Sequence, residues 1–170
     1  MLNLIMALVG CFTTSIYNHQ FTDVDGNNFS MTSCQGKKIL LVNIATGDAR
    51  VNQLAGLQQL HQQYGDSLVI IAFPSNSFGD EPKTNGEIKQ FCQINYGASF
   101  TIASKNAVSG TGIQSIYSWL AQSSENGVMN GTVGGDFQKF LIDKNGALIG
   151  VFAPSVLPGD NSLVQAITEN

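Results

Sequence analysis

The chain is predicted to fold as an α/β protein, with a central mixed sheet, helices on both faces and a small N-terminal hairpin. Three stretches carry that prediction. Residues 38–45 form an apolar run of strand length, Thr46-Gly47-Asp48 breaks it, and Leu54, Leu57 and Leu60 then recur at helical spacing. Leu68 to Phe73 is a continuous Val/Ile-rich run, the pattern of a strand covered on both faces. Strand, helix and strand in that order imply parallel pairing with a right-handed crossover. Lys144-Asn145-Gly146 sits between apolar runs at 137–143 and 147–152 and signals a hairpin, which adds antiparallel strands.

Taken in order, Phe21 to Ser30 alternates around Asp25-Gly26-Asn27 and reads as the first hairpin. The helix after the first long strand is expected over 51–64, with Thr46 or Asp48 as its cap and Gly65 as a left-handed terminator. Pro74 to Thr84 reads as a polar loop leaving the carboxyl end of a strand, where open α/β sheets bind ligands. Asp80-Glu81 within it reads as a solvated turn. A helix over 85–95, a short strand near 99–103 and a helix through Ile113, Ile116, Tyr117 and Leu120 follow. Residues 123–135 read as a connector, with Asn126-Gly127 and Met129 as plain loop. Leu163, Val164 and Ile167 space a closing helix.

The chain has 170 residues, enough for one domain with a two- or three-layer core. Its net charge is −4 and its eight Lys and Arg form no cluster, which argues against nucleic-acid binding, since phosphate contacts need concentrated basic charge. The first eleven residues are apolar and end in Leu8-Val9-Gly10-Cys11, similar to a bacterial lipobox. The run is too short to span a bilayer and lacks the basic residues of a usual signal. Residues 1–15 are therefore either a remnant of an export signal, with a lipid anchor at Cys11 and a periplasmic location, or a packed segment. Residues 16–170 form the domain. Cys11, Cys34 and Cys92 have no metal-ligand or C-x-x-C spacing, and Cys34 and Cys92 read as small buried hydrophobes. His19 and His61 stand alone, His61 as a solvated residue, and no metal site or cofactor is expected.

Several blocks carry a family resemblance. Asn43-Ile-Ala-Thr, Gln53-Leu-Ala-Gly-Leu-Gln, Phe73-Pro-Ser-Asn-Ser-Phe-Gly, Asp80-Glu-Pro and Asn85-Gly-Glu-Ile-Lys-Gln-Phe-Cys come first. Tyr96-Gly, Tyr117-Ser-Trp-Leu and Asp136-Phe-Gln-Lys-Phe-Leu-Ile-Asp continue in register. Together, over residues 16 to 155, they resemble the glutathione peroxidase family, which implies a thioredoxin-like fold and thiol peroxidase activity. The same resemblance implies that Asp48 stands at the position of the peroxidatic cysteine or selenocysteine. Ser77 stands where the family keeps glutamine, and Gly135 and Asp136 where it keeps a Trp-Asn pair. Cys92 lies about one place from the family's resolving cysteine.

Thiol peroxidase chemistry needs a sulfur of low pKa that attacks the O–O bond and is then reduced from sulfenic acid. A carboxylate oxygen cannot be oxidised in that way. The expectation is therefore a binding or structural family member, with a pocket formed by Thr46, Gly47, Asp48, Arg50, Asn76, Ser77 and Asp136. Its partner would be a small molecule or a thiol protein. Two alternatives stay open: a peroxidase working through Cys34 or Cys92, and a two-carboxylate site at Asp48 and Asp136.

Overall fold

The computed structural model describes residues 13–169. The N-terminal run and Cys11 lie outside the described residues. Strand β1 (Gln20–Thr22) pairs antiparallel with β2 (Asn28–Ser30), the first hairpin, and Gly26 supplies the positive φ of its turn. The main sheet is built from β3 (Lys38–Ile44), β4 (Leu68–Pro74), β5 (Thr101–Ile102), β6 (Lys139–Ile142) and β7 (Leu148–Phe152). Its order is β5-β4-β3-β6-β7, parallel across the first three strands and antiparallel through the last two.

Strand β3 is buried along its whole length because both of its faces are covered. Leu40, Val42 and Ile44 point into one apolar layer, and Ile39 and Leu41 into the other. The first layer is closed by α1 (Gln53–Tyr64), α2 (Asn85–Tyr96) and α5 (Asn161–Thr168), through Leu54, Leu57, Ile88, Leu163 and Ile167. The second is closed by α3 (Ser115–Ala121), through Ile116, Tyr117 and Trp119, with Ile16 and Met31. Helix α2 starts with a capping box in which Thr84 and Glu87 satisfy each other's backbone amides. The Lys38 amine donates to the carbonyls of Ala166 and Glu169, tying the last turn of α5 to the start of β3.

The structure changes three local expectations. Helix α1 begins at Gln53, two residues late, because residues 48–52 are turn. Gly65 ends it with φ −56°, so no left-handed cap forms. The connector after α3 contains a short helix, α4 (Ser123–Asn126), secured by the buried Asn126. The Asn126 amide donates to the carbonyls of Trp119, Leu120 and Met129, and its oxygen accepts from the amides of Val128 and Met129.

Candidate functional site

Beyond Ile44 the chain leaves the sheet through Ala45-Thr46-Gly47-Asp48. The loop after β4 folds back over this exit and is clamped to it. The Glu81 carboxylate, fully buried, accepts from the Thr46 amide at 2.7 Å, the Thr46 hydroxyl at 2.8 Å and the Lys83 amide at 3.1 Å. The Asn76 side chain accepts from the Glu81 amide, and the Gly47 amide donates to the Asp80 carbonyl at 2.9 Å. Gly47 is required for that approach, since a Cβ there would lie 2.7 Å from the Asp80 oxygen. Three bonds across the gap and one missing methyl group thus bring Asp80 against Asp48.

Asp48 does not cap α1. Its Oδ1 accepts from the Arg50 amide at 2.7 Å and Nε at 2.8 Å, and its Oδ2 accepts from the Arg50 guanidinium at 2.6 Å. These guanidinium bonds hold the Asp48 carboxyl below the usual aspartate range. The third carboxylate arrives from the start of β6. Phe137, with φ +66°, is the one non-glycine residue with positive φ among the described residues. It is held by its buried ring and by donation to the Asn43 carbonyl at 2.7 Å. Asp136, immediately before it, is 1% exposed. Its Oδ1 receives a 3.5 Å contact from the Asn43 amide, and its Oδ2 has no hydrogen-bond partner.

One oxygen from each of Asp48, Asp80 and Asp136 lies within 4.8 Å of the other two. Burial pushes the Asp136 carboxyl up to about 6, and the charges of Asp48 and Asp80 add to it, while Asn43 and Arg50 oppose. Beside this cluster Arg50 also lines an open groove of about 660 Å³ with Ala49, Gln53, Leu157 and Pro158.

Of the pocket residues expected from sequence, Asp48, Arg50 and Asp136 meet. Thr46, Gly47 and Asn76 serve as anchors for the loop that carries Asp80. Ser77 turns elsewhere: its hydroxyl bonds to Ser75 and to the backbone of Val108 and Ser109. Asp80-Glu81 is not the solvated turn expected, because Glu81 is a buried clamp and only Asp80 is exposed. No metal site was expected either, yet Asp80 makes a three-carboxylate cluster of the pair. The signal available was an Asp-Glu-Pro run on a loop leaving a strand end. His61 is half-buried against Phe100, and His19 Nδ1 lies 3.1 Å from the Ser115 hydroxyl.

Among the described residues the two thiols are buried. Cys34 packs in the α3-side layer at 1% exposure, and burial pushes its pKa up. Cys92 packs in the opposite layer at 0% exposure, with its thiol pushed up to about 12 by burial and then by Glu81. Both are small core hydrophobes, as the sequence suggests. Among the described residues no helix is long and apolar enough to cross a membrane.

Comparison with known proteins gives a consistent picture. The family model for glutathione peroxidase matches residues 16–121. A glutathione peroxidase of Lactococcus lactis subsp. cremoris is 36% identical over 146 residues, covering 85% of this chain and 92% of its own. Glutathione peroxidase-like peroxiredoxin 2 of Saccharomyces cerevisiae is 36% identical over 158 residues, covering 91% and 96%. The crystal structure of Trgpx in apo form is similar with a TM-score of 0.69 at 25% identity, over 92% of this chain and 97% of that one. A thioredoxin-family thiol:disulfide interchange protein from Chlorobium tepidum has a TM-score of 0.65 at 17% identity, over 92% and 97%, a likeness of thioredoxin-like fold alone.

Proposed function

The chain belongs to the glutathione peroxidase family, and from that premise we propose that it has lost the family's thiol chemistry and acts as a binding member. The observation that carries this reading is Asp48 at the exit of β3, the place where the family resemblance puts a peroxidatic sulfur or selenium. Peroxide reduction there would need an atom that is itself oxidised by two electrons as it takes up oxygen, and attack by a carboxylate oxygen would only form another O–O bond at the peroxide level. Cys34 and Cys92 do not replace it, because the attacking species is the thiolate and burial keeps both protonated at neutral pH. Ser77, in the place of the family's glutamine, is committed to residues 108–109. What remains at the sheet end is a charged pocket suited to holding a small ligand or ion. An export signal and a lipid anchor at Cys11 belong to the same proposal, as a family member held at a membrane surface.

The test is a peroxidase assay on the purified protein with hydrogen peroxide, once with glutathione and once with thioredoxin as reductant. The expected result is consumption no faster than for the Cys34→Ser/Cys92→Ser variant. Saturable turnover that disappears in either single variant would overturn the reading and restore a thiol peroxidase.

A further inference from the structure

We propose that Asp48, Asp80 and Asp136 form a binding site for a hard divalent cation of calcium size. The proposal rests on reading this pocket as a ligand-binding one, and it names the ligand.

The donor set is all carboxylate oxygen, with no imidazole or thiolate, which selects hard cations over zinc or copper. Calcium holds oxygens at about 2.3–2.6 Å, so two oxygens on opposite sides of it are up to about 5 Å apart. The three carboxylates already have oxygens within 4.8 Å of one another, inside the span such an ion bridges. Magnesium, with bonds of about 2.0–2.1 Å and a strict octahedron, spans no more than about 4.2 Å between opposite oxygens.

The independent sign of a ligand is Asp136 Oδ2. It belongs to a residue 1% exposed and has no hydrogen-bond partner, on a carboxylate that reaches the cluster. A buried carboxylate oxygen left bare costs free energy that a coordinated cation would remove. The charge balance points the same way. Three carboxylates face one guanidinium, Arg50, whose side chain is 41% exposed and would release Asp48 when a cation takes its place. The frame is fixed in advance, since Glu81 on Thr46 and Asp80 on Gly47 hold the loop that supplies the third ligand.

The experiment is calorimetric titration of calcium chloride into the full-length protein stripped with chelator, with magnesium and manganese chloride in parallel and thermal unfolding as a second readout. The expected result is one calcium per chain and a higher Tm, with magnesium and manganese weaker. Asp80→Asn, at an exposed position, should weaken calcium binding tenfold or more, and Asp136→Asn should weaken it likewise. No heat and no Tm shift up to about 5 mM calcium, beyond the weakest functional calcium sites, would overturn the site. So would unchanged binding in Asp80→Asn, and tighter binding of magnesium or manganese would overturn the assignment to calcium size. Failure here leaves the peroxide assay untouched, so the loss of thiol chemistry is judged separately.

Discussion

Cys92 and Asp136 are both buried beside the same central sheet, and burial raises the pKa of both, yet the consequences diverge. Cys92 is enclosed by Leu, Ile and Phe side chains of the α1/α2/α5 layer, and its thiol sits at about 12. Asp136 meets two other carboxylates, an amide and a guanidinium at the end of the sheet, and its carboxyl sits at about 6. A group in a dry apolar layer is silenced at any physiological pH. A group at a charged strand end stays within reach of neutral pH, where a proton or a cation can act on it. Among the described residues the thiols of Cys34 and Cys92 thus lie in the apolar layers, and three carboxylates meet at the sheet end.

Moving sulfur to the reactive end is the strongest way to break that contrast. The variant Asp48→Cys should still reduce hydrogen peroxide about a hundredfold or more slowly than a cysteine-bearing relative, measured as kcat/KM, since losing one preorganised donor alone costs about that much. Its thiol would face Asp80 and Asp136, which oppose thiolate formation, with the Ser77 hydroxyl turned away. Full family-level turnover would show that the surrounding residues matter less than the single atom. The clamp provides a sharper probe of geometry. The variant Glu81→Gln puts an amide hydrogen against the Thr46 amide or the Lys83 amide, and should cost about 2–3 kcal/mol in urea unfolding. A cost near zero would mean that the loop holds its place without it.

Asp136→Asn tests the charged side directly, and here the sign is opposite. In chelator, the folded protein keeps a proton on Asp136 up to about pH 6, whereas the unfolded chain releases it near 4. The contribution of Asp136 to stability therefore falls as pH rises from about 4 to 6, and the penalty is complete above that. The asparagine variant escapes it, so it should match the natural protein at pH 4 and exceed it by about 2–3 kcal/mol at pH 7. Equal stability at both pH values would show that the carboxylate is solvated after all.

The sheet and most helices are legible in the sequence because their signals are local. Continuous apolar runs mark β3 and β4, Asn145-Gly146 marks the β6–β7 turn, and Thr84 with Glu87 brackets the start of α2. The site was half legible. Asp48 and Asp136 could be singled out through the family resemblance, whereas Asp80 and Glu81 belonged to a matching Asp-Glu-Pro block with no role attached to it. Glu81 is buried only because Thr46, 35 residues earlier, offers it two donors, and no pattern within the loop announces such a contact. Asp48 looks like a helix cap by position, but Arg50 offers its carboxylate both a backbone amide and a guanidinium, and the helix begins farther on. Asn126 was missed for the opposite reason: an Asn-Gly pair after a helix resembles an ordinary turn until five hydrogen bonds converge on it.

The most direct measurement is the intact mass of the native protein after a brief hydrogen peroxide challenge, with the urea-unfolded protein treated in parallel. The expected result is no oxygen added to Cys34 or Cys92 in the native protein and ready oxidation of both once unfolded. Addition of one oxygen atom to either thiol of the native protein at equimolar peroxide, or a disulfide formed in its place, would contradict the claim that this fold carries no working peroxidatic sulfur.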